Sequence, residues 1–221
     1  MANDPNTIQY VIQEDGFWYV ASKDRTPGVP EITVSTKGVA NGLSTEYNDG
    51  YDFGPDSYDP TSTANPPYTQ TSGIQEAWSY AAMLGNQTIE ISASYNFKYP
   101  LQINTDILVP NIPNGKSIRL VGQGRTSSTV LQFNSGCNKG IDYGANYDGN
   151  FNGNAQIENI TLTANTSTLT SLLNIPSTVA GGYVSLRDVQ YGTVGSTAPT
   201  YTDAAIYISG VDYVSLIGVS D

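Results

Sequence analysis

Three six-residue segments in the second half of the chain can be laid over one another. Ile157-Glu158-Asn159-Ile160-Thr161-Leu162, Leu186-Arg187-Asp188-Val189-Gln190-Tyr191 and Val211-Asp212-Tyr213-Val214-Ser215-Leu216 share the pattern apolar, x, turn residue, apolar, x, apolar, at spacings of 29 and 25 residues. A drifting period of this size predicts a β-solenoid, in which each coil stacks on the previous one and the loops vary in length. Ile89 and Ile118 stand another 29 residues apart, so the coils are expected to begin there. In this geometry the first and fourth positions point inward on either side of a sharp bend. The third sits in the bend, where Asn or Asp tolerates a left-handed backbone better than most residues. Asn159 and Asp188 fit that role and Tyr213 departs from it. The second positions then form an exterior column of Glu158, Arg187 and Asp212 on coils about 4.8 Å apart. The column is read as a surface charge ladder worth on the order of 0.2–1 kcal/mol per pair, in preference to an active-site column.

Composition narrows the function classes. The 221 residues carry 20 acidic and 9 basic side chains, a formal net charge of −11. Binding to nucleic acid relies on Lys and Arg to neutralise phosphates, so no nucleic-acid partner is expected. An anionic membrane surface would repel the same charge. There is no His, which removes Ser-His-Asp and Cys-His catalysis and imidazole metal sites. A lone Cys137 removes an intrachain disulfide and a cysteine-rich zinc site. Charged residues make up 13%, while Tyr reaches 16 and Gly 22. Asn, Ser and Thr fill polar positions instead of Lys and Glu, which favours strands and turns over helices. No stretch approaches the roughly 20 apolar residues of a membrane span, so no membrane insertion is expected. Met1-Ala2-Asn3-Asp4-Pro5 lacks the basic and apolar regions of a signal peptide. Together with the low charge, this suggests a virion component exposed to the outside.

Along the chain, Ile8 to Gln13 and Phe17 to Ala21 read as a hairpin around Glu14-Asp15-Gly16. Breakers at Pro27, Gly28 and Pro30 precede a short strand at Ile32 to Ser35. Residues 1–45 are therefore read as an N-terminal attachment region. Residues 46–72, rich in Gly, Pro, Ser, Thr and Asp, read as the loop leading into the main unit. One helix is expected over Gly73 to Leu84, with Thr71-Ser72 as cap, Glu76 in the first turns and Gly85 as C-cap. Residues 73–221 comprise this capping helix and the coils.

Asn48-Asp49-Gly50-Tyr51-Asp52-Phe53-Gly54-Pro55-Asp56 followed by Thr71-Ser72-Gly73-Ile74-Gln75-Glu76-Ala77 resembles the entry motif of pectate-lyase-like right-handed β-helices. In that family an Asp-Gly loop leads into a capping helix with an Ile-Gln-x-Ala core, and sequence like Thr88-Ile89-Glu90-Ile91 starts the first coil. The resemblance covers residues 46 to 221 and implies a mainly β, right-handed parallel β-helix. The family includes pectin-degrading enzymes, glycoside hydrolases and phage tailspikes, so the motif says little about activity. Tyr10 to Val20 resembles a hairpin that precedes such β-helices in archaeal proteins and archaeal viruses. This likeness implies the N-terminal part of an archaeal virus tail fibre or tailspike, spindle-shaped viruses being the specific comparison. Its expected partners are itself as a homotrimer, other virion tail proteins through residues 1–45, and a host surface glycan or protein receptor through a distal part. The chain stops at Ile217-Gly218-Val219-Ser220-Asp221 inside a coil with no cap, which is read as a continuing protein or an end covered by a trimer partner.

The competing class is a polysaccharide lyase or glycoside hydrolase. Glycoside hydrolysis needs two carboxylates roughly 5–10 Å apart. Asp188 and Asp212 fall on adjacent coils at different phases, with Asp203 in the loop between them. Family lyases place a calcium-binding acid cluster beside a basic residue. Arg119, Arg125 and Arg187 are present without such a cluster on consecutive coils. Glu46, Asp49, Asp52, Asp56 and Asp59 could suit calcium, but their spacing is ordinary turn chemistry. Gly122-Gln123-Gly124-Arg125 lies between strands, so it reads as a tight turn between coils, not a phosphate loop. Tyr47, Tyr51, Tyr58, Tyr95 and Tyr99 could stack on sugars and read first as β core and edge residues. Asn86, Asn159 and Asn165 begin glycosylation triplets, with Asn159 the poorest acceptor because of its bend. No catalytic residue, cofactor or metal ligand is assigned, and the reading favours a structural, adhesive protein over an enzyme.

Overall fold

The computed structural model describes residues 7–14, 17–24, 31–34, 54, 69–84, 87–91, 100–110, 117–123, 129–143, 154–176, 183–193 and 199–220. Within these residues the protein is mainly β with parallel strands and a single helix. β1 (Thr7–Glu14) and β2 (Phe17–Asp24) form the expected antiparallel hairpin, with Glu14 opposite Phe17. The expected C-cap Gly85, the acids at 46, 49, 52, 56 and 59, Arg125, and the tyrosines at 47, 51, 58, 95 and 99 lie outside the described residues.

Everything else among the strands is parallel and stacks in circuits. β3 (Glu31–Val34) leads, followed by α1 (Ile74–Leu84). The first circuit is β4 (Gln87–Ile91), β5 (Leu101–Ile103) and β6 (Ile107–Leu108). The second is β7 (Ser117–Gly122), β8 (Val130–Phe133) and β9 (Ile141–Asp142). The third is β10 (Asn154–Ala164), β11 (Thr168–Leu169) and β12 (Leu173–Ile175). The fourth is β13 (Tyr183–Thr193), β14 (Thr200–Tyr201) and β15 (Ile206–Ile208), and β16 (Tyr213–Ile217) opens a fifth. One sheet runs β3, β4, β7, β10, β13, β16; another runs β6, β9, β12, β15. β5 and β8 extend onto the second half of β10, and β11 pairs with β14.

The register explains the sequence repeat and corrects part of it. Ile157 pairs with Leu186 and Ile160 with Val189, as the 29-residue spacing requires. All four are fully buried. Asn159 (φ 56°) and Asp188 (φ 50°) occupy the left-handed bend between them. The third segment, however, is set five residues later than the expected alignment. Leu186 pairs with Leu216, so the spacing is 30, and the bend falls on Gly218 (φ 65°) and not on Tyr213. Glycine has no Cβ to strain a left-handed backbone, so it replaces Asn and Asp there. The misplaced alignment set Val214 and Leu216 beyond the bend, whereas both stand before it, opposite Val184 and Leu186. The first coil shifts similarly: Ile89 pairs with Leu120, and Gln87 pairs with Ile118. Glu31–Val34, placed by sequence in the N-terminal region, pairs in parallel with β4.

The inward columns run through the stack. Ile32, Ile89, Leu120, Ile157 and Leu186 are successive partners, each 0% exposed. α1 packs against β3, β4 and β6 with Ile74, Ala77, Trp78 and Ala81 at 0% exposure, and Glu76, Ser79, Tyr80 and Ala82 are buried as well, so the helix is enclosed on nearly all sides. Its Trp78 ring meets Tyr143 edge-on at 5.7 Å. The N-terminal turn is tied by Thr71, whose Oγ1 accepts from the Gln75 N–H at 3.1 Å and donates to Glu76 Oε2 at 3.2 Å. The Gln75 side chain then imitates a strand. Its Oε1 accepts from the Leu108 N–H at 2.7 Å and its Nε2 donates to the Leu108 carbonyl at 2.8 Å. The edge of β6 is thereby satisfied by the helix that lies over it.

Close approach at the bend yields a testable contrast. A Cβ on Gly122 would lie 2.2 Å from the Asn159 carbonyl oxygen, whereas one on Gly192 meets nothing within 4 Å. Gly122→Ala is expected to lose about 2 kcal/mol or more through overpacking. Gly192→Ala should leave stability unchanged or raise it by about 0.5 kcal/mol by removing a flexible residue from a strand. Urea unfolding of the two variants checks the order.

Candidate functional site

The expected charge column is built differently from its sequence reading. Glu158 and Arg187 are direct cross-strand neighbours, but the next position is Ile217 and not Asp212, because of the shifted third segment. The ion partner of Glu158 is Arg119 on the opposite side, at 2.9 Å, with side chains 18% and 42% exposed. Arg119 sits diagonal to Glu158 across the β7–β10 ladder, within reach of a long side chain. A pair this exposed contributes about 0.2–1 kcal/mol. Asp188, Asp203 and Asp212 are all exposed, on a bend, a turn and the approach to β16. Among the described residues no three of His, Cys, Asp and Glu come together as metal ligands.

What the stack does bring together is a set of uncharged ladders. Asn104, Asn134 and Asn165 follow one another at the ends of β5, β8 and β10. Asn134 Nδ2 donates to Asn104 Oδ1 at 2.8 Å, and Asn165 Nδ2 donates to Asn134 Oδ1 at 3.1 Å. Beside them, Gln132 Nε2 donates to Gln102 Oε1 at 3.0 Å, and Asn134 Nδ2 also reaches Gln102 Oε1 at 3.0 Å. Each amide has both a donor and an acceptor, so identical side chains on parallel strands bond head to tail along the stack. A second ladder links Asn138, Thr170 and Thr202: Thr170 Oγ1 is 2.7 Å from Asn138 Oδ1 and 3.3 Å from Thr202 Oγ1. Sequence reading missed these sets. Their signal is the recurrence of Asn at 104, 134 and 165, which matches the circuit length.

Two carboxylates serve the same architecture. Asp106 Oδ1 accepts from the N–H groups of Asn138, Lys139 and Gly140 at 2.8, 2.9 and 3.0 Å, fixing the turn of the next circuit. Buried Asp142 accepts from Asn174 Nδ2 at 2.7 Å and faces Lys139 Nζ at 3.5 Å. Acids held in this way position backbone and neighbouring amides.

The buried acidic hydrogens point to inertness. Cys137 donates to the Ile103 carbonyl at 3.2 Å. Burial, with Asp106 nearby, pushes its thiol up to about 12. The thiolate is the nucleophilic form, so Cys137 is a packing residue. Burial also raises the Tyr143 and Tyr201 phenols, with Tyr191 adding to the shift of Tyr201.

Two predictions test this arrangement. Asn134→Ala removes the shared member of the amide ladder and should lower stability by about 1–2 kcal/mol in urea unfolding. Folded Cys137 holds its proton to higher pH than an unfolded thiol does. Stability is therefore full below about pH 9 and falls as pH rises from about 9 toward about 12, which thermal melts of the wild type and Cys137→Ala would resolve. Ladder-forming amides and hydroxyls offer hydrogen bonds to a partner surface or a sugar, and they offer no proton-transfer chemistry near neutral pH. Compared with protein-family models, curated proteins and solved structures, the chain has no significant match.

Proposed function

We propose that this chain is a right-handed, pectate-lyase-like parallel β-helix. On this reading it acts as a structural and adhesive segment of an archaeal virus spike, with the N-terminal hairpin as the attachment element. The observation carrying the structural part is the pairing of side chains along the stack. Amides, hydroxyls and carboxylates are spent on holding one circuit to the next. A continuous ladder of this kind resists bending, which suits a shaft. Uncharged polar columns suit reversible contact with glycans or protein. The viral assignment rests on the sequence resemblance.

The pairing of β3 with β4 changes how this is tested. A truncation that removes residues 1–30 spares β3, whereas removing 1–45 strips a strand from the sheet beside α1. The 1–30 deletion is expected to fold, by circular dichroism, and to lose incorporation into particles. Incorporation that survives the deletion would refute the attachment role. Incubated with acidic polysaccharides, the full chain should release no reducing ends and no unsaturated products. Release of either would move the protein to the enzyme class.

A further inference from the structure

Two of the Asn-x-Ser/Thr triplets, at Asn159 and Asn165, fall in the same circuit, and the stack treats them very differently. Such a triplet carries an N-linked sugar on a surface segment, where its amide and its hydroxyl both face solvent. Asn159 fails that condition. It stands in the left-handed bend of β10 at φ 56°, and its carbonyl oxygen is so close to Gly122 that a Cβ there would lie 2.2 Å from it. Its neighbours Glu158 and Ile160 pair with Arg187 and Val189, so Asp188 occupies the equivalent bend of the next circuit. The hydroxyl of this triplet belongs to Thr161, which is 3% exposed.

Asn165-Thr166-Ser167 is built the other way. These residues join β10 to β11 where the chain passes from one sheet to another, and Asn165 and Ser167 are both exposed. The backbone of this corner is held at both ends. The Asn165 N–H donates to the Phe133 carbonyl at 2.8 Å, and the Ser167 carbonyl accepts from the Thr200 N–H at 3.0 Å. The triplet is therefore presented outward on a fixed turn. A sugar added during synthesis must be tolerated by the finished stack, and the corner accepts it where the bend does not.

The amide itself leaves room for the sugar. Asn165 is the last member of the Asn104–Asn134–Asn165 ladder among the described residues, and its Nδ2 donates to Asn134 Oδ1 at 3.1 Å. A primary amide nitrogen carries two hydrogens. N-glycosylation replaces one and keeps the other, so the ladder bond and the glycosidic bond are compatible on one nitrogen. We propose that Asn165 is an N-glycosylation acceptor and that the corner between β10 and β11 carries an N-linked oligosaccharide. The donor is a lipid-linked oligosaccharyl diphosphate, delivered by a cellular oligosaccharyltransferase. The bond from Nδ2 to the sugar C1 forms as the bond from C1 to the diphosphate oxygen breaks. The lipid diphosphate leaves with the electron pair, and the amide proton passes to a base of the transferase. Ser167 supplies the hydroxyl that the triplet requires.

The full chain, sent into the secretory pathway of a eukaryotic cell by a cleavable signal peptide and recovered from the medium or from microsomes, tests the proposal. Tandem mass spectrometry is expected to place a glycan on Asn165 and none on Asn159, and a peptide N-glycosidase should remove it. Asn165→Gln and Ser167→Ala should each lose that glycan. Ser167→Ala keeps the Asn165 amide, so it separates loss of the sugar from loss of the ladder. The glycosylated wild type should melt no lower than Ser167→Ala, as a sugar that spares the ladder requires. A bare Asn165, a glycan on Asn159, or a glycosylated chain that melts below Ser167→Ala would each overturn the proposal. These results are independent of whether the protein is a spike segment.

Discussion

The parallel backbone ladder between circuits is the constraint from which the rest of the structure follows. Every inward side chain lies directly over its counterpart one circuit earlier, as Ile157 lies over Leu120 and beneath Leu186. Apolar character is therefore kept column by column while volume varies, as where Phe133 meets Ala164 and Ile118 meets Ala155, and loop length between strands is free. Strand pairs are fixed by register and the bends are fixed by backbone conformation, so a left-handed residue must recur at the corner. Asn159, Asp188 and Gly218 meet that demand with three different side chains.

The same ladder accounts for the composition. Charged side chains stacked at about 4.8 Å would repel like neighbours along a column, whereas Asn, Gln and Thr bond to copies of themselves. Columns such as Asn104–Asn134–Asn165 convert this into lateral adhesion within one chain. Thirteen per cent charge, unusual for a globular protein, is what an assembly of self-pairing columns needs. Asp106 and Asp142 are retained where a carboxylate can gather several backbone or amide donors.

Much of the fold was legible, for reasons that can be traced to particular residues. Ile157 and Leu186 recur with an Asn or Asp two residues later, and that combination of burial and bend leaves a readable mark. The helix was legible from Ile74, Ala77, Trp78 and Ala81. The third repeat was misplaced because its bend residue is Gly218, which signals a turn of any kind. β3 was missed as part of the sheet because a long intervening stretch separates Glu31–Val34 from its partner Gln87–Ile91. The polar ladders escaped notice because their members are each unremarkable locally and meet only once circuits are stacked. Gln75 belongs to the same class: its spacing places it on the helix, and its role as a surrogate strand for Leu108 exists only in three dimensions.

That surrogate strand also sets a direction for folding. A circuit of about 30 residues pays a similar loop-closure entropy each time it lands on the one before it, and each landing needs a finished template below. α1 and β3 both pack on β4 and so supply a template for it. Circuits that added in order from the helix outward would follow the order in which a ribosome delivers them. The chain can lay down its core during synthesis, without waiting for a distant partner segment to emerge.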